Sequence, residues 1–160
     1  MEAHRRCSVD RYAIFGLAPV TCSTPRPDTK GEPAMTEKIR RFQLDDFEQI
    51  HRLNALEGWQ DLIADQERTR NAWMNSNAAF VLESDGKILA YVRALTDGSV
   101  TTFVCELLVS RGARKRGYGR KLLNHLKHTY PTRIDLLATR QSASFYEEQG
   151  FRVFHGFRQL

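Results

Sequence analysis

Val109-Ser-Arg-Gly-Ala-Arg114-Lys-Arg-Gly117-Tyr-Gly119-Arg-Lys-Leu-Leu123 decides the fold. A β-rich run, Thr101–Val109, feeds a loop of glycine and arginine, and leucines at helical spacing follow it. The first N–H groups of a helix have no partner inside it, and the helix dipole adds partial positive charge there, so a strand-loop-helix junction of this kind can hold a pyrophosphate. Gly117 and Gly119 present main chain without a Cβ in the way of the phosphates. Six cations and no acid lie between Arg111 and Lys121. Glycines and cations also make ordinary solvated turns, so the flanking elements have to decide.

Upstream, Ala79–Glu83, Ile88–Leu95 and Thr101–Val109 are β-rich runs joined by Asp85-Gly86 and Asp97-Gly98, both hairpin turn signals, which predicts three antiparallel strands. That context disfavours a dinucleotide fold, whose glycine turn opens a parallel βαβ unit. The P-loop pattern Gly-x-x-x-x-Gly-Lys-Ser/Thr is absent. Downstream, Leu122, Leu123 and Leu126 mark a helix closed by Pro131, followed by a strand Arg133–Leu137. A helix over about Ser142–Gln149 ends at Gly150 and leads into a strand Phe151–Phe154.

Towards the N-terminus, Glu37–Gln43 reads as a short strand, and Asp45 and Asp46 as caps for a helix carrying Phe47, Ile50, His51 and Leu53 and ended by Gly58. Leu62, Ile63, Thr69, Ala72 and Trp73 predict one further amphipathic helix up to about Asn75. The order is strand, two helices, three strands, helix, strand, helix, strand. Residues 1–34 hold four of the five prolines and no amphipathic period, so they are expected to be a disordered extension. Met35 then starts the folded domain, 35–160.

A length of 160 residues suits one domain, and 41% hydrophobic with 27% charged residues is an ordinary globular composition. No apolar run is long enough to span a bilayer, and Tyr12–Val20, bordered by Asp10 and Arg11, lacks a signal-peptide cleavage site. No membrane association is expected. Three cysteines, Cys7, Cys22 and Cys105, without Cys-x-x-Cys spacing argue against a disulfide framework or zinc site and for a cytoplasmic location. His51, His125 and His128 lack metal spacing, so no metal is expected. A net charge of +5 is modest, and its placement matters more than its sum.

Arg114-Lys-Arg-Gly117-Tyr-Gly119 resembles the Arg/Gln-x-x-Gly-x-Gly/Ala loop of motif A in the GNAT superfamily of acetyl-CoA-dependent N-acetyltransferases. Ser144-Phe-Tyr146-Glu-Glu-Gln-Gly150-Phe151 is similar to its motif B, and the resemblance covers roughly Lys38 to Phe157. It implies an α/β (α+β) fold, a mixed, mostly antiparallel sheet of about six to seven strands flanked by four helices. It also implies acetyl-CoA as acyl donor. By resemblance the main chain of Leu107, Leu108 and Val109 pairs with the pantetheine arm as an added strand. Arg114, Lys115, Arg116, Gly117, Tyr118, Gly119 and Arg120 surround the pyrophosphate, and the parallel strands Thr101–Val109 and Arg133–Leu137 splay into a cleft.

Tyr146 is the expected general acid for the departing CoA sulfur, since a phenol can protonate a thiolate; its alternative is a packed core ring. Glu106, opposite in facing to Leu107 and Val109, is the candidate base for the amine, and a solvated or paired acid is its alternative. Asp135 is a weaker base candidate. Cys105 reads as a small buried residue, Phe145 and Phe151 as core, and Trp59 as either acceptor wall or core. Thr139 and Gln141 stand where the family often has an asparagine touching CoA, and His155–Leu160 leaves little for the usual last strand. A cleft shortened in this way is open or completed by a second subunit, as in a homodimer.

The expected activity is therefore acetyl transfer to a small-molecule or peptide amine within a ternary complex. The alternatives are a non-catalytic CoA sensor and a nucleic-acid module gripping phosphates with Arg111–Lys121; neither needs Tyr146, so no nucleic acid is expected as partner. Gly58-Trp59 and Arg93–Asp97 are faintly similar to arylalkylamine acetyltransferases.

Overall fold

The computed structural model describes residues 36–159. The predicted extension 1–34, with Cys7, Cys22 and the proposed start at Met35, lies outside them. Five strands, β1 (Glu37–Arg41), β2 (Ala78–Ser84), β3 (Lys87–Thr96), β4 (Thr101–Val109) and β5 (Arg133–Leu136), form one sheet in sequence order. All pairs are antiparallel except β4–β5. Helices α1 (Phe47–Glu57), α2 (Gln60–Ile63), α3 (Gln66–Met74), α4 (Tyr118–Thr129) and α5 (Ala143–Glu148) complete the α/β fold.

Alternation along the strands gives each sheet face its own core. Phe80, Leu82, Val92 and Val104 pack with Tyr118, Leu122, Leu123 and Leu126 of α4, and Phe145 and Tyr146 of α5 rest against them. On the other face Val81, Ile88, Tyr91 and Leu108 meet Phe47 and Ile50 of α1 and Trp73 of α3. The Asp85-Gly86 hairpin forms as read, with both residues at positive φ, as the tightest hairpin turns require. At the next hairpin one oxygen of Asp97 accepts from the N–H groups of Ser99, Val100 and Thr101, at 2.8, 2.7 and 3.0 Å.

Three expectations are corrected. The helix foreseen up to Asn75 is split, because Asp65 accepts from the N–H of Arg68 at 2.9 Å and starts α3 afresh. Among the described residues the helix count is thus five rather than four. Phe151–Phe154 is not a strand among the described residues: the Phe151 N–H is spent on the Tyr146 carbonyl, and no neighbouring segment supplies a ladder partner. The sheet therefore has five strands among the described residues, not six or seven.

Asp46 does not cap α1 with its side chain either. It lies in a 3-10 turn, Leu44–Asp46, accepting from the Gln43 N–H at 2.8 Å and from both terminal nitrogens of Arg40 at 2.7 and 2.8 Å. Arg40 also grips Glu83 on the neighbouring strand, so one guanidinium ties β1, β2 and the entry to α1. Although burial opposes it, this pairing holds the Asp46 carboxyl below the usual carboxylate range.

Arg40→Ala should cost about 2–4 kcal/mol at neutral pH by stranding a buried carboxylate. Because the folded pKa of Asp46 is depressed, the pair stabilises above the unfolded value and is lost as pH falls through the lower folded one. Urea denaturation of both proteins should show a constant gap from pH 7 to about pH 5, narrowing only below about pH 4.

Candidate active site

β5 pairs with β4 over four residues only, from Thr101 opposite Arg133 to Val104 opposite Leu136. There the register of β4 against β3 also slips: Val104 faces Ala94 and Glu106 faces Arg93, which leaves Cys105 as a bulge. Beyond it β4 continues to Val109 with no strand on its β5 side among the described residues. The Ser110 N–H donates to the Leu89 carbonyl at 2.9 Å, so by the antiparallel alternation Leu108 and Glu106 also turn their polar groups to β3. Leu107 and Val109 then present theirs to the open side. Of the three residues expected to pair with a pantetheine chain, these two can offer main-chain groups; Leu108 spends its own on β3 and its side chain on the core.

The free edge runs into the glycine-arginine loop. A 3-10 turn, Arg111–Ala113, is followed by Arg114 in extended conformation, Lys115 at φ +64° and Gly117 at φ +77°, which caps α4. Left-handed residues at Lys115 and Gly117 curl the main chain at the start of α4, and unpaired N–H groups gathered in such a turn can form an anion nest. Among the described residues, no hydrogen bond reaches the N–H groups of Arg116 to Arg120. Gly117 is needed for its conformation. Gly119 has a different duty, because a Cβ there would stand 3.0 Å from the ring of Phe145. Its hydrogen lets α5 close on α4.

The loop side chains divide. Tyr118 is buried and its hydroxyl hydrogen-bonds Glu37 of β1, so at the nest only its main chain is available. Arg114 pairs with Glu57 at 2.6 Å, and Lys121 with Glu37. Lys115, Arg116 and Arg120 are exposed and have no ion-pair partner among the described residues.

Tyr146 lies on α5, its ring meeting Phe145 and Phe151 at centroid distances of 5.0 and 5.6 Å. Burial pushes its phenol above the usual range, so it keeps its proton at physiological pH. It borders a cavity of about 640 Å³ lined also by Phe103, Leu136, Ala143 and Phe151. Thr139 accepts the Ser142 N–H with its carbonyl at 3.1 Å and so forms the turn that starts α5.

Glu106 faces α1–α3, and both its oxygens accept from Arg93, directly opposite on β3. Arg93 also donates to the Ser76 hydroxyl at 3.0 Å. Asp135 instead pairs with Arg133 at the outer strand, beside Phe103. Cys105 is a free, half-buried thiol whose pKa is raised by burial, consistent with a small packed residue. Trp59 is partly buried against the α1–α3 core. Two features went unread in the sequence: the Asn54–Tyr91 hydrogen bond under α1, and Glu57 between Arg111 and Arg114. The stripe Phe47, Ile50, Asn54, Glu57 at helical spacing carried the signal, since two polar residues continue an apolar face.

The acetyltransferase (GNAT) family model matches residues 38–151. The chain belongs to that family. Among solved structures, this GNAT chain is similar to a GNAT-family acetyltransferase of Streptococcus pneumoniae (18% identity, 79% of this chain and 97% of that one, TM-score 0.63). It is also similar to a PaiA N-acetyltransferase of Thermoplasma acidophilum in complex with coenzyme A (16%, 75% and 92%, 0.62). A third similar structure is an aminoglycoside acetyltransferase from an uncultured soil metagenomic sample in complex with sisomicin (17%, 78% and 96%, 0.57). Nothing among curated proteins matches.

As a GNAT protein the chain is an acyltransferase of a family that uses acetyl-CoA. The unpaired N–H groups, the three unpartnered cations and the open edge of β4 fit such a donor. Among the described residues there is no cluster of His, Cys, Asp and Glu placed to hold a metal, and no helix long and apolar enough to cross a membrane.

The contact at Gly119 yields a stability test. Gly119→Val should displace Phe145 and cost about 1–3 kcal/mol. Gly119→Ala should be close to neutral, since a gain of about 1 kcal/mol in helix propensity offsets the tight contact. Urea midpoints of the two variants read the difference directly.

Proposed function

We propose that this GNAT enzyme transfers acetyl from acetyl-CoA to the amine of a small molecule or peptide by direct attack in a ternary complex. The observation that carries the reading is the continuity of the free β4 edge with the N–H nest at α4. An amide-bearing arm and a pyrophosphate joined in one ligand would satisfy both at once. Bound there, acetyl-CoA supplies a thioester carbon to the acceptor. Leu107 and Val109 orient the arm, and Arg116 to Arg120 receive the phosphates with N–H groups and cationic side chains.

The residues then divide the proton work. The amine nitrogen bonds the acetyl carbon as the C–S bond breaks, and Tyr146 gives its phenolic proton to the departing sulfur. Glu106 takes the proton that the amine loses, directly or through a water. Arg93 uses one lone pair on each Glu106 oxygen, and a carboxylate has about four such sites, so accepting capacity remains. The acceptor class is left to a thiol-release screen over polyamines, arylalkylamines, aminoglycosides and peptide N-termini.

CoA should raise the melting temperature by mass action, and Gly117→Val should weaken CoA binding in calorimetry, because a β-branched residue is strained at φ +77°. A wild-type protein indifferent to millimolar CoA would refute the donor assignment.

Tyr146→Phe should lower turnover about a hundred- to ten-thousand-fold while leaving CoA affinity nearly unchanged. Glu106→Gln should show a defect that shrinks as pH rises and free amine becomes abundant, whereas Tyr146→Phe should not be rescued. Full activity in the first variant removes the acid, and a pH-independent defect in the second removes the base.

A further inference from the structure

Glu57 is the last residue of α1, and its side chain is only 12% exposed. It extends the sheet-facing stripe of Phe47, Ile50 and Asn54. An acid at that position meets the negative end of the helix dipole, where a cation is favoured. Compensation comes from the loop beyond β4. The Nε of Arg111 lies 3.5 Å from one carboxylate oxygen, and Nη2 of Arg114 lies 2.6 Å from the other.

Arg114 has a second partner. Its Nε donates at 3.2 Å to the carbonyl of Val109, one of the groups on the open edge of β4. A single guanidinium therefore covers a main-chain acceptor that a pantetheine amide would need, while standing next to the N–H nest that phosphates would fill. Glu57 and Glu106 also lie on one face of the sheet: the charges of both, after burial itself, push the Tyr91 phenol upward. Glu106 is already held by Arg93, which opposes that shift, so Glu57 is the acid of the two that an exchange of partners would uncover.

We propose that Arg114 changes partners when CoA binds, giving up Glu57 and the Val109 carbonyl for the phosphates, and that the uncovered Glu57 carboxylate then receives the ammonium of a cationic acceptor. The inference rests on the acetyl-CoA reading above. Arg114 is about half exposed, at 52%, so its head can reach a phosphate, and Glu57, at 12%, would then be left with Arg111 alone. A guanidinium on phosphate makes shorter, charge-assisted and often bidentate bonds. Donor binding thereby prepares the acceptor site. Arg111, at 71% exposure and 3.5 Å, is too loosely placed to keep Glu57 neutralised by itself.

The test is calorimetry with CoA on the wild type, Glu57→Gln, Arg114→Gln and the double variant. In the free protein Glu57 competes for Arg114, so removing its charge should raise the fraction ready for phosphate and tighten CoA binding about two- to fivefold. That gain should vanish in the Arg114→Gln background. A Glu57 that merely braces the loop would give weaker CoA binding in Glu57→Gln. If wild type does not bind CoA, the acetyl-CoA reading itself fails. If wild type binds CoA and Glu57→Gln binds it equally or less tightly, the partner exchange alone is overturned.

The acceptor half is read with phenethylamine and spermidine as probes at pH 7. Their binding should need CoA and should fall about tenfold in Glu57→Gln, the loss expected for a hydrogen bond between charged groups. Binding that is indifferent to CoA or to Glu57→Gln overturns it.

Discussion

Parallel pairing between β4 and β5 stops at Val104 opposite Leu136, and the bulge at Cys105 turns β4 away in the same step. A strand in the middle of a sheet normally has both edges satisfied, and an edge left open is a template for another amide-bearing chain. Here the open stretch is short, is flanked by α4 on one face and α1 on the other, and ends at the nest of N–H groups. Neither the edge nor the nest would specify an elongated ligand alone. Joined end to end, they match an amide-bearing arm with a charged end, the shape that the proposed acetyl-CoA reading calls for.

The cations of the loop then take on distinct roles. Arg111 and Arg114 lean towards α1 and Glu57, and Lys121 towards β1 and Glu37. Lys115, Arg116 and Arg120 stay without an acidic partner among the described residues and give the nest its positive field. Two acids, each borrowed from an element far away in sequence, thus divide a uniform basic run into held and unheld charges. The polar residues on the α1–α3 face form a second line, Ser76, Arg93 and Glu106.

Much of this was legible because it is local. The two Asp-Gly hairpins, the strand feeding a glycine loop and the leucine stripe of α4 each follow from neighbours within a few residues. What escaped depends on partners distant in the chain. Gly119 reads as phosphate access, yet its missing Cβ is required by Phe145, 26 residues later. Tyr118 reads as a ligand residue in a basic loop but is buried, and Glu106 gives no sign in sequence of the arginine opposite it on β3. Asp65 carried a capping signal of the ordinary kind, hidden because the apolar period runs straight through it. Phe151–Phe154 shows the converse: strand propensity without a partner edge makes no strand.

The hydrogen bond from Tyr118 to Glu37 fastens the first turn of α4 to β1, an edge strand. Edge strands open by local unfolding more readily than central ones. The main-chain cradle at α4 is therefore anchored to one of the elements most prone to fray. Amide exchange at Lys121, the first N–H of α4 with a main-chain partner, should accordingly follow β1 rather than the central strands, and any segment that pairs with the outer side of β1 would stiffen that cradle from across the sheet.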